Sequence, residues 1–266
     1  MDRLIKDIIS KKELNNLDEN FIKQKLELFF KENKKIKLKL ENNSYHEKSK
    51  EYKETIKSIR KELREIYGVF IQKNIDKRDN FLKENKTKEI LLMHKSSEER
   101  YLYYEEIYKR IFKITNKPKK ILDLACGLNP ISYEYLGCKP KYYASDLSNK
   151  DMSFINYFFE KNKIKGKAFA LDLIKDYEEL KKYKVDVCFL FKALDSFETI
   201  KKNVSKDIIK AINAKFIIVS FTKTSLGGRK EISKNKRNWF INDLKKQGLS
   251  HEFFEIPNEW FVVVKK

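Results

Sequence analysis

Ile121-Leu122-Asp123-Leu124-Ala125-Cys126-Gly127-Leu128-Asn129-Pro130 is an apolar run closed by a glycine and followed at once by a helix start. The apolar and small residues around Asp123 predict a parallel strand buried on both faces, where strict alternation disappears. Gly127 turns the chain. Asn129 is expected to cap the helix and Pro130 to take its first position, where a missing N–H costs nothing. Strand, glycine turn and helix N-terminus make a ligand site, with backbone N–H groups facing whatever lies above the strand's carboxyl end.

The glycine count narrows the ligand. A dinucleotide fold needs G-x-G-x-x-G to bring backbone against a pyrophosphate, whereas Gly127 stands alone before Leu128 and Asn129. Tyr142-Tyr143-Ala144-Ser145-Asp146 is a second short strand ending on an acid, 19 positions after Gly127. That gap is the one expected for an acid that binds ribose hydroxyls. A nucleoside without a pyrophosphate fits both facts, and S-adenosylmethionine is the common cofactor of that description.

Working outward, residues 93–266 alternate short apolar strands with helices, the pattern of an α/β domain with a mostly parallel sheet. Strands are expected at 121–126, 141–145, 167–171, 185–191 and 215–221. A hairpin follows at 251–256 and 260–264 around Pro257-Asn258-Glu259. Tyr101, Tyr104, Tyr108 and Ile111 give the helix that leads in, with Arg100 at its start. The third strand is expected to end at Asp172 and the fourth to run into Phe191, Lys192 and Leu194, positions that surround an adenine. Five parallel strands and a terminal hairpin is the order of class I, Rossmann-like methyltransferases; the hairpin separates it from a dehydrogenase.

Residues 1–92 read as a separate helical domain, holding only Gly68 and no proline. Tyr52, Ile56, Ile59, Leu63, Ile66 and Phe70 recur at spacings of four and three, one apolar stripe opposite Lys53, Lys57, Arg60, Lys61 and Arg64. An earlier stripe runs through Leu4, Ile8, Leu14, Leu17, Phe21 and Leu28. The lysine-rich run 31–39 reads equally as an arm along phosphates or as a solvated linker. The domains are therefore 1–92, helical and RNA-docking, and 93–266, binding the cofactor.

A formal charge of +20, from 59 basic and 39 acidic side chains, favours a polyanion partner over a bias in composition. Cysteines at 126, 138 and 188 have no metal-ligand spacing, so no metal is expected and the protein is expected to be reduced and cytoplasmic. Cys126 reads as a small buried residue rather than a nucleophile. No apolar run is long enough to span a membrane and no signal core opens the chain.

Asp123-Leu124-Ala125-Cys126-Gly127-Leu128-Asn129-Pro130 resembles the cofactor motif of the 16S rRNA (guanine-N7) methyltransferases that confer aminoglycoside resistance, the Arm/Rmt family. His94-Lys95-Ser96-Ser97-Glu98-Glu99-Arg100 is similar to the family's H-x-S-[ST]-x-E-R segment. Phe189-Leu190-Phe191-Lys192-Ala193-Leu194 is similar to its fourth-strand end, and Ser225-Leu226-Gly227-Gly228-Arg229 to the loop after its fifth. The resemblance covers residues 94–266. Lys230-Glu231-Ile232 departs from the family's usual K-G-M.

The resemblance implies S-adenosylmethionine as cofactor, 16S rRNA on the assembled small ribosomal subunit as substrate, and a monomer. The expected cofactor contacts are Arg100, Asp123, Ala125, Gly127, Asn129, Asp146, Leu147, Asp172, Leu173, Phe191, Lys192 and Leu194. Asp146 would hold the ribose and Arg100, as the resemblance implies, the cofactor carboxylate. Asp172 reads evenly as adenine contact or helix cap, and Asp123 as a structural acid or a contact for the cofactor's amino end. Lys223, Ser225, Arg229, Lys230, Lys236 and Arg237 are the expected RNA contacts, on and after a mobile loop at 222–229. Trp239 and Phe240 read as core before base-stacking groups. No catalytic residue is expected, since guanine N7 carries a free lone pair, and none of His46, His94 and His251 is expected at a strand end. Losing residues 1–92 is expected to spare cofactor binding. The alternatives are a class I methyltransferase with another RNA or a small-molecule acceptor, or a non-catalytic RNA-binding or ribosome-assembly factor.

Overall fold

A computed structural model describes residues 1–68, 77–224 and 231–266. Among these, the strands are β1 (Lys120–Leu124), β2 (Lys141–Asp146), β3 (Gly166–Ala170), β4 (Val185–Phe191), β5 (Ala214–Thr222), β6 (Ser250–Ile256) and β7 (Glu259–Lys265). They form one sheet in the order β3-β2-β1-β4-β5-β7-β6. The first five are parallel and β7 runs antiparallel between β5 and β6. Strand direction of crossover reverses at β1, so the crevice beyond the carboxyl ends of β1 and β4 is where such a sheet binds ligands. β3 stops at Ala170, two residues short of Asp172: Leu171 N–H makes the last ladder bond, to Asp146 O, and Asp172 already accepts from the N–H groups of the turn at 174–176.

The central strands are apolar without alternation because helices cover both faces. On one face lie Tyr108, Phe189, Phe191, Phe261 and Phe254, successive ring centroids 4.7–5.8 Å apart. On the other, Leu122, Cys188, Leu190, Ile217 and Val219 pack with Leu194, Ile208, Phe240 and Leu244. Each such ring or branched chain contributes about 1.5–3 kcal/mol by leaving water.

The helices before the sheet are α1 (Asp2–Ile9), α2 (Glu19–Glu32), α3 (Lys34–Asn42), α4 (Lys50–Ile66), α5 (Arg78–Lys83), α6 (Thr87–Leu91), α7 (Lys95–Arg100) and α8 (Tyr104–Thr115). Those after β2 are α9 (Asn149–Lys161), α10 (Leu194–Ile200), α11 (Val204–Ala211) and α12 (Asn238–Lys246). Asp18 caps α2 through Asn20 N–H and Ser49 caps α4 through Tyr52 N–H, each filling a donor left open at a helix start. Three expectations for the helices change in detail, and one lies beyond what is described. The run 31–39 is helical, shared by α2 and α3, and is no arm. Leu28 is exposed, and Ile22, Leu26 and Phe30 carry the buried stripe of α2. Phe70 lies outside the described residues. Arg100 ends α7, and α8 begins only at Tyr104 after one tight turn.

α1, α2 and α4 enclose their own core of Leu4, Ile8, Leu14, Ile22, Leu26, Ile59 and Leu63. Leu82, Ile90, Leu91 and Met93 instead join the core of the sheet. No helix among the described residues is long and apolar enough to cross a membrane.

Candidate active site

The helix expected after Gly127 is a tight 3-10 turn over Asn129–Leu136, and Asn129 does not cap it. Its side chain turns inward and donates to Asp123 Oδ2 at 2.9 Å, while Tyr104 Oη donates to its Oδ1 at 3.1 Å. Tyr142 Oη gives Asp123 Oδ2 a second bond at 2.7 Å. The buried acid at the heart of β1 is thus held by a neighbour strand and the following turn. Burial raises its pKa to about 7, although both hydrogen bonds pull the other way.

Gly127 has φ +50°, and a Cβ there would lie 2.6 Å from His94 Nε2. The glycine is required twice over, for backbone conformation and for room. Its N–H donates to Asp146 Oδ2 at 2.7 Å, and Leu147 N–H donates to Oδ1 at 2.7 Å. Asp146 therefore faces the crevice with one lone pair of each oxygen engaged. Burial raises its pKa to about 6 against the pull of those two N–H groups. Ala125 at φ +49° and Lys192 at φ +55° hold left-handed backbone at the ends of β1 and β4. Such conformations cost about 1–3 kcal/mol each and concentrate at ligand sites.

These strand ends open on a cavity of about 1070 Å³, its mouth included. Arg100, Asp123, Ala125, Gly127, Asn129, Asp146, Leu147, Asp172, Leu173, Phe191 and Lys192 all line it. Leu194 does not: it begins α10 with its side chain fully buried in the core against the far face of the sheet. Asp172 caps no helix: its Oδ1 accepts from Ile174 N–H at 3.0 Å within the turn after β3, while buried Oδ2, 3.9 Å from Lys175 Nζ, accepts no hydrogen bond.

Arg100 is buried, its guanidinium 5.0 Å above the Phe191 ring and 3.1 Å from Glu259 Oε1. Burial opposes its charge, but Glu259 together with Tyr104 and Tyr108 outweighs it and holds the pKa above the ordinary arginine range. Its Nε has no hydrogen bond. Lys192 Nζ pairs with Glu99 and lies 3.2 Å from Glu259 Oε2. Glu259, 0% exposed, is the residue sequence reasoning missed most plainly. In sequence it is one of three hairpin residues, and only the antiparallel return of β7 brings it to the site.

His94 also lines the cavity, contrary to expectation: it comes from the turn before α7 rather than from a strand, yet its ring covers Gly127 at the end of β1. Burial, then Arg100 and Lys192, lowers its pKa to about 3. The wall is completed from the helical segment by Phe21, Lys25, Tyr67 and Arg78. Nothing in the spacing of α2 or α4 separates these from ordinary core positions, yet through them residues 1–92 supply part of the cavity wall. Burial pushes the Cys126 thiol well above its usual pKa, as suits a packed residue.

The expected RNA contacts divide. Ser225, Arg229 and Lys230, with most of the loop at 222–229, lie outside the described residues. Lys236 is exposed, and Lys223 Nζ lies 3.1 Å from Glu255. Arg237 is no phosphate contact: it is 6% exposed, paired with Asp195 and stacked against Phe221 and Trp260. An arginine between two aromatic faces and an acid stabilises α12 against α10 instead. Phe240 is core, and Trp239 packs beside it against Phe221.

The sheet order, the glycine turn and the acid ending β2 define a class I S-adenosylmethionine-dependent methyltransferase fold. The donor set suits that cofactor, with Asp146 placed for a diol, a hydrogen-bond-free Asp172 oxygen and a buried cation for a carboxylate. The family described as ribosomal RNA methyltransferase (FmrO) matches residues 47–264, and the chain belongs to it. That match reaches into the helical segment, further than the motifs alone.

A 16S rRNA (guanine(1405)-N(7))-methyltransferase of Micromonospora echinospora is 26% identical over 230 residues, covering 80% of this chain and 83% of its own. One of Serratia marcescens is 26% identical over 216 residues, covering 80% and 84%. Among solved structures, the 16S rRNA methylase RmtB superposes with a TM-score of 0.78 at 20% identity, over 100% of this chain and 98% of its own. RmtF, solved with S-adenosyl-L-homocysteine, gives 0.77 at 20%, over 100% and 97%. The shared fold includes the helical segment.

Proposed function

We propose that this protein transfers a methyl group from S-adenosylmethionine to N7 of a guanine in the decoding region of 16S rRNA, acting as a cytoplasmic monomer on the assembled small subunit and giving aminoglycoside resistance. The observation that carries this reading is the Asp146–Gly127 cradle at the sheet's switch point, in a chain of the ribosomal RNA methyltransferase family. The relatives' activity on guanine N7 supports the choice of acceptor atom.

Asp146 would accept from both ribose hydroxyls, Asp172 would meet the adenine amino group, and Arg100 the cofactor carboxylate. Bound there, the cofactor supplies an electrophilic methyl on a sulfonium. The residues around it need only align the acceptor and exclude water, because N7 has no proton to lose. His94 fits this division of labour: an imidazole with a pKa of about 3 has almost no proton affinity near neutrality. Residues 1–92 would dock on RNA, with Lys53, Lys57 and Lys61 exposed along α4.

The test is transfer of labelled methyl to intact small subunits, naked rRNA and tRNA in parallel. Label on intact subunits supports the reading. Label on tRNA alone would point to another RNA acceptor, and failure to bind the cofactor to a non-catalytic RNA-binding factor.

A further inference from the structure

The turn that carries Asp146 is gripped from the helical segment. Ser148 Oγ donates to Asn16 O at 2.7 Å, Lys150 Nζ to Asn15 O at 2.9 Å, and Asn149 Nδ2 to Asp18 Oδ2 at 3.1 Å. The strongest grip is on Asp151, in the first turn of α9 and 6% exposed. Its carboxylate accepts from Tyr67 Oη, from Arg78 Nη1 and, at 3.1 Å, from Asn16 Nδ2. These three donors come from the helical segment and from the start of α5. Its own N–H donates to Ser148 Oγ at 3.1 Å, tying the turn to itself.

Arg78 sits on a boundary. It lines the cofactor cavity on one side and, on the other, an open cleft with Lys12, Lys83, Lys150 and the half-exposed Tyr157. Its guanidinium is braced 4.6 Å above the Phe154 ring. A buried carboxylate cannot part from its cationic partner cheaply, so Arg78, Asp151 and the turn move together.

We infer that Asp151 is a positioning residue for the cofactor, acting through the turn that ends β2, and that it couples the seating of the helical segment to cofactor affinity. The inference rests on the methyltransferase reading. It follows from linkage: whatever favours the seated helical segment favours the Asp146 geometry, and the cofactor returns the same free energy to the segment. RNA held by the helical segment and the basic cleft therefore tightens cofactor binding, although it touches no cofactor atom.

The test uses the full-length chain, Asp151→Asn and Asn16→Ala, with equilibrium dialysis of labelled S-adenosylhomocysteine with and without saturating small subunits. Coupling of this kind predicts that subunits tighten wild-type binding at least about fivefold, and that Asp151→Asn weakens binding about tenfold and abolishes the tightening. KM for S-adenosylmethionine should rise with it, while the single-turnover rate at saturating cofactor stays within about twofold of wild type. Wild-type affinity in Asp151→Asn, or an undiminished subunit effect, overturns the inference. So does a lost rate at saturating cofactor with affinity intact. If Asp151→Asn does not fold by circular dichroism, Asn16→Ala decides, with a weaker shift in the same direction expected and unchanged affinity refuting it. Wild-type protein that binds no S-adenosylhomocysteine would instead sink the methyltransferase reading, before any substitution is made.

Discussion

Gly127→Ala should damage the site in a way that His94 controls. The new Cβ would fall 2.6 Å from His94 Nε2 and 2.7 Å from Cε1, against an ordinary contact of 3.4 Å or more, at a residue with φ +50°. Left-handed backbone costs an alanine about 1–2 kcal/mol, and displacing a buried ring costs about 1–3 kcal/mol. The sum, about 2–5 kcal/mol, should lower Tm on the order of 10 °C. S-adenosylhomocysteine affinity should fall at least about tenfold, since Gly127 N–H anchors Asp146. Removing the ring relieves only the steric part, so Gly127→Ala with His94→Ala should be less destabilised than the sum of the single variants by about 1–3 kcal/mol. Denaturation of all four proteins together with calorimetry of the cofactor product completes the cycle. Strict additivity, or a Gly127→Ala protein with wild-type Tm and affinity, would refute the reasoning.

Asp146→Ala should weaken S-adenosylhomocysteine binding by about 1.5–3 kcal/mol, the scale of hydrogen bonds to a charged acceptor. Because the free carboxyl has a pKa of about 6 and ribose donors favour its charged form, wild-type affinity should be flat above pH 7 and fall as pH drops below 6, while the variant loses this dependence; calorimetry across pH 5–8 checks both. The single-turnover methylation rate, measured at saturating cofactor, should stay nearly flat over roughly pH 6.5–8.5; a tenfold rise per unit would argue for an acceptor that must lose a proton. Deleting residues 1–77 should abolish subunit methylation and also weaken cofactor binding, because Phe21, Lys25 and Tyr67 leave the cavity wall; a folded fragment with full affinity would contradict that.

The sheet was legible because its strands are short apolar runs with turn chemistry between them. The hairpin at residues 250–265 could be read from the strand-like runs on either side of Pro257-Asn258-Glu259. Most of the cavity wall was legible for the same reason, as residues at strand ends are fixed by strand order. Glu259, His94 and the contributions of α2 and α4 were not, since they depend on how distant segments return over the strand ends. Arg237 shows the converse. A basic residue beside a basic loop reads as a phosphate contact, and only the packing of Phe221, Trp260 and Asp195 around it shows otherwise. Leu194 failed by a single helical position, which turned its side chain to the far face of the sheet.

The central claim is the atom that receives the methyl group. Small subunits treated with the protein and S-adenosylmethionine should yield rRNA with one new methylated guanine in the decoding region. N7 methylation places a positive charge on the base, so borohydride reduction and aniline should cleave the strand at that nucleotide. Cleavage at a single decoding-region guanine, absent without the cofactor, is the predicted result. A labelled nucleotide that resists this cleavage, or one outside the decoding region, would contradict it.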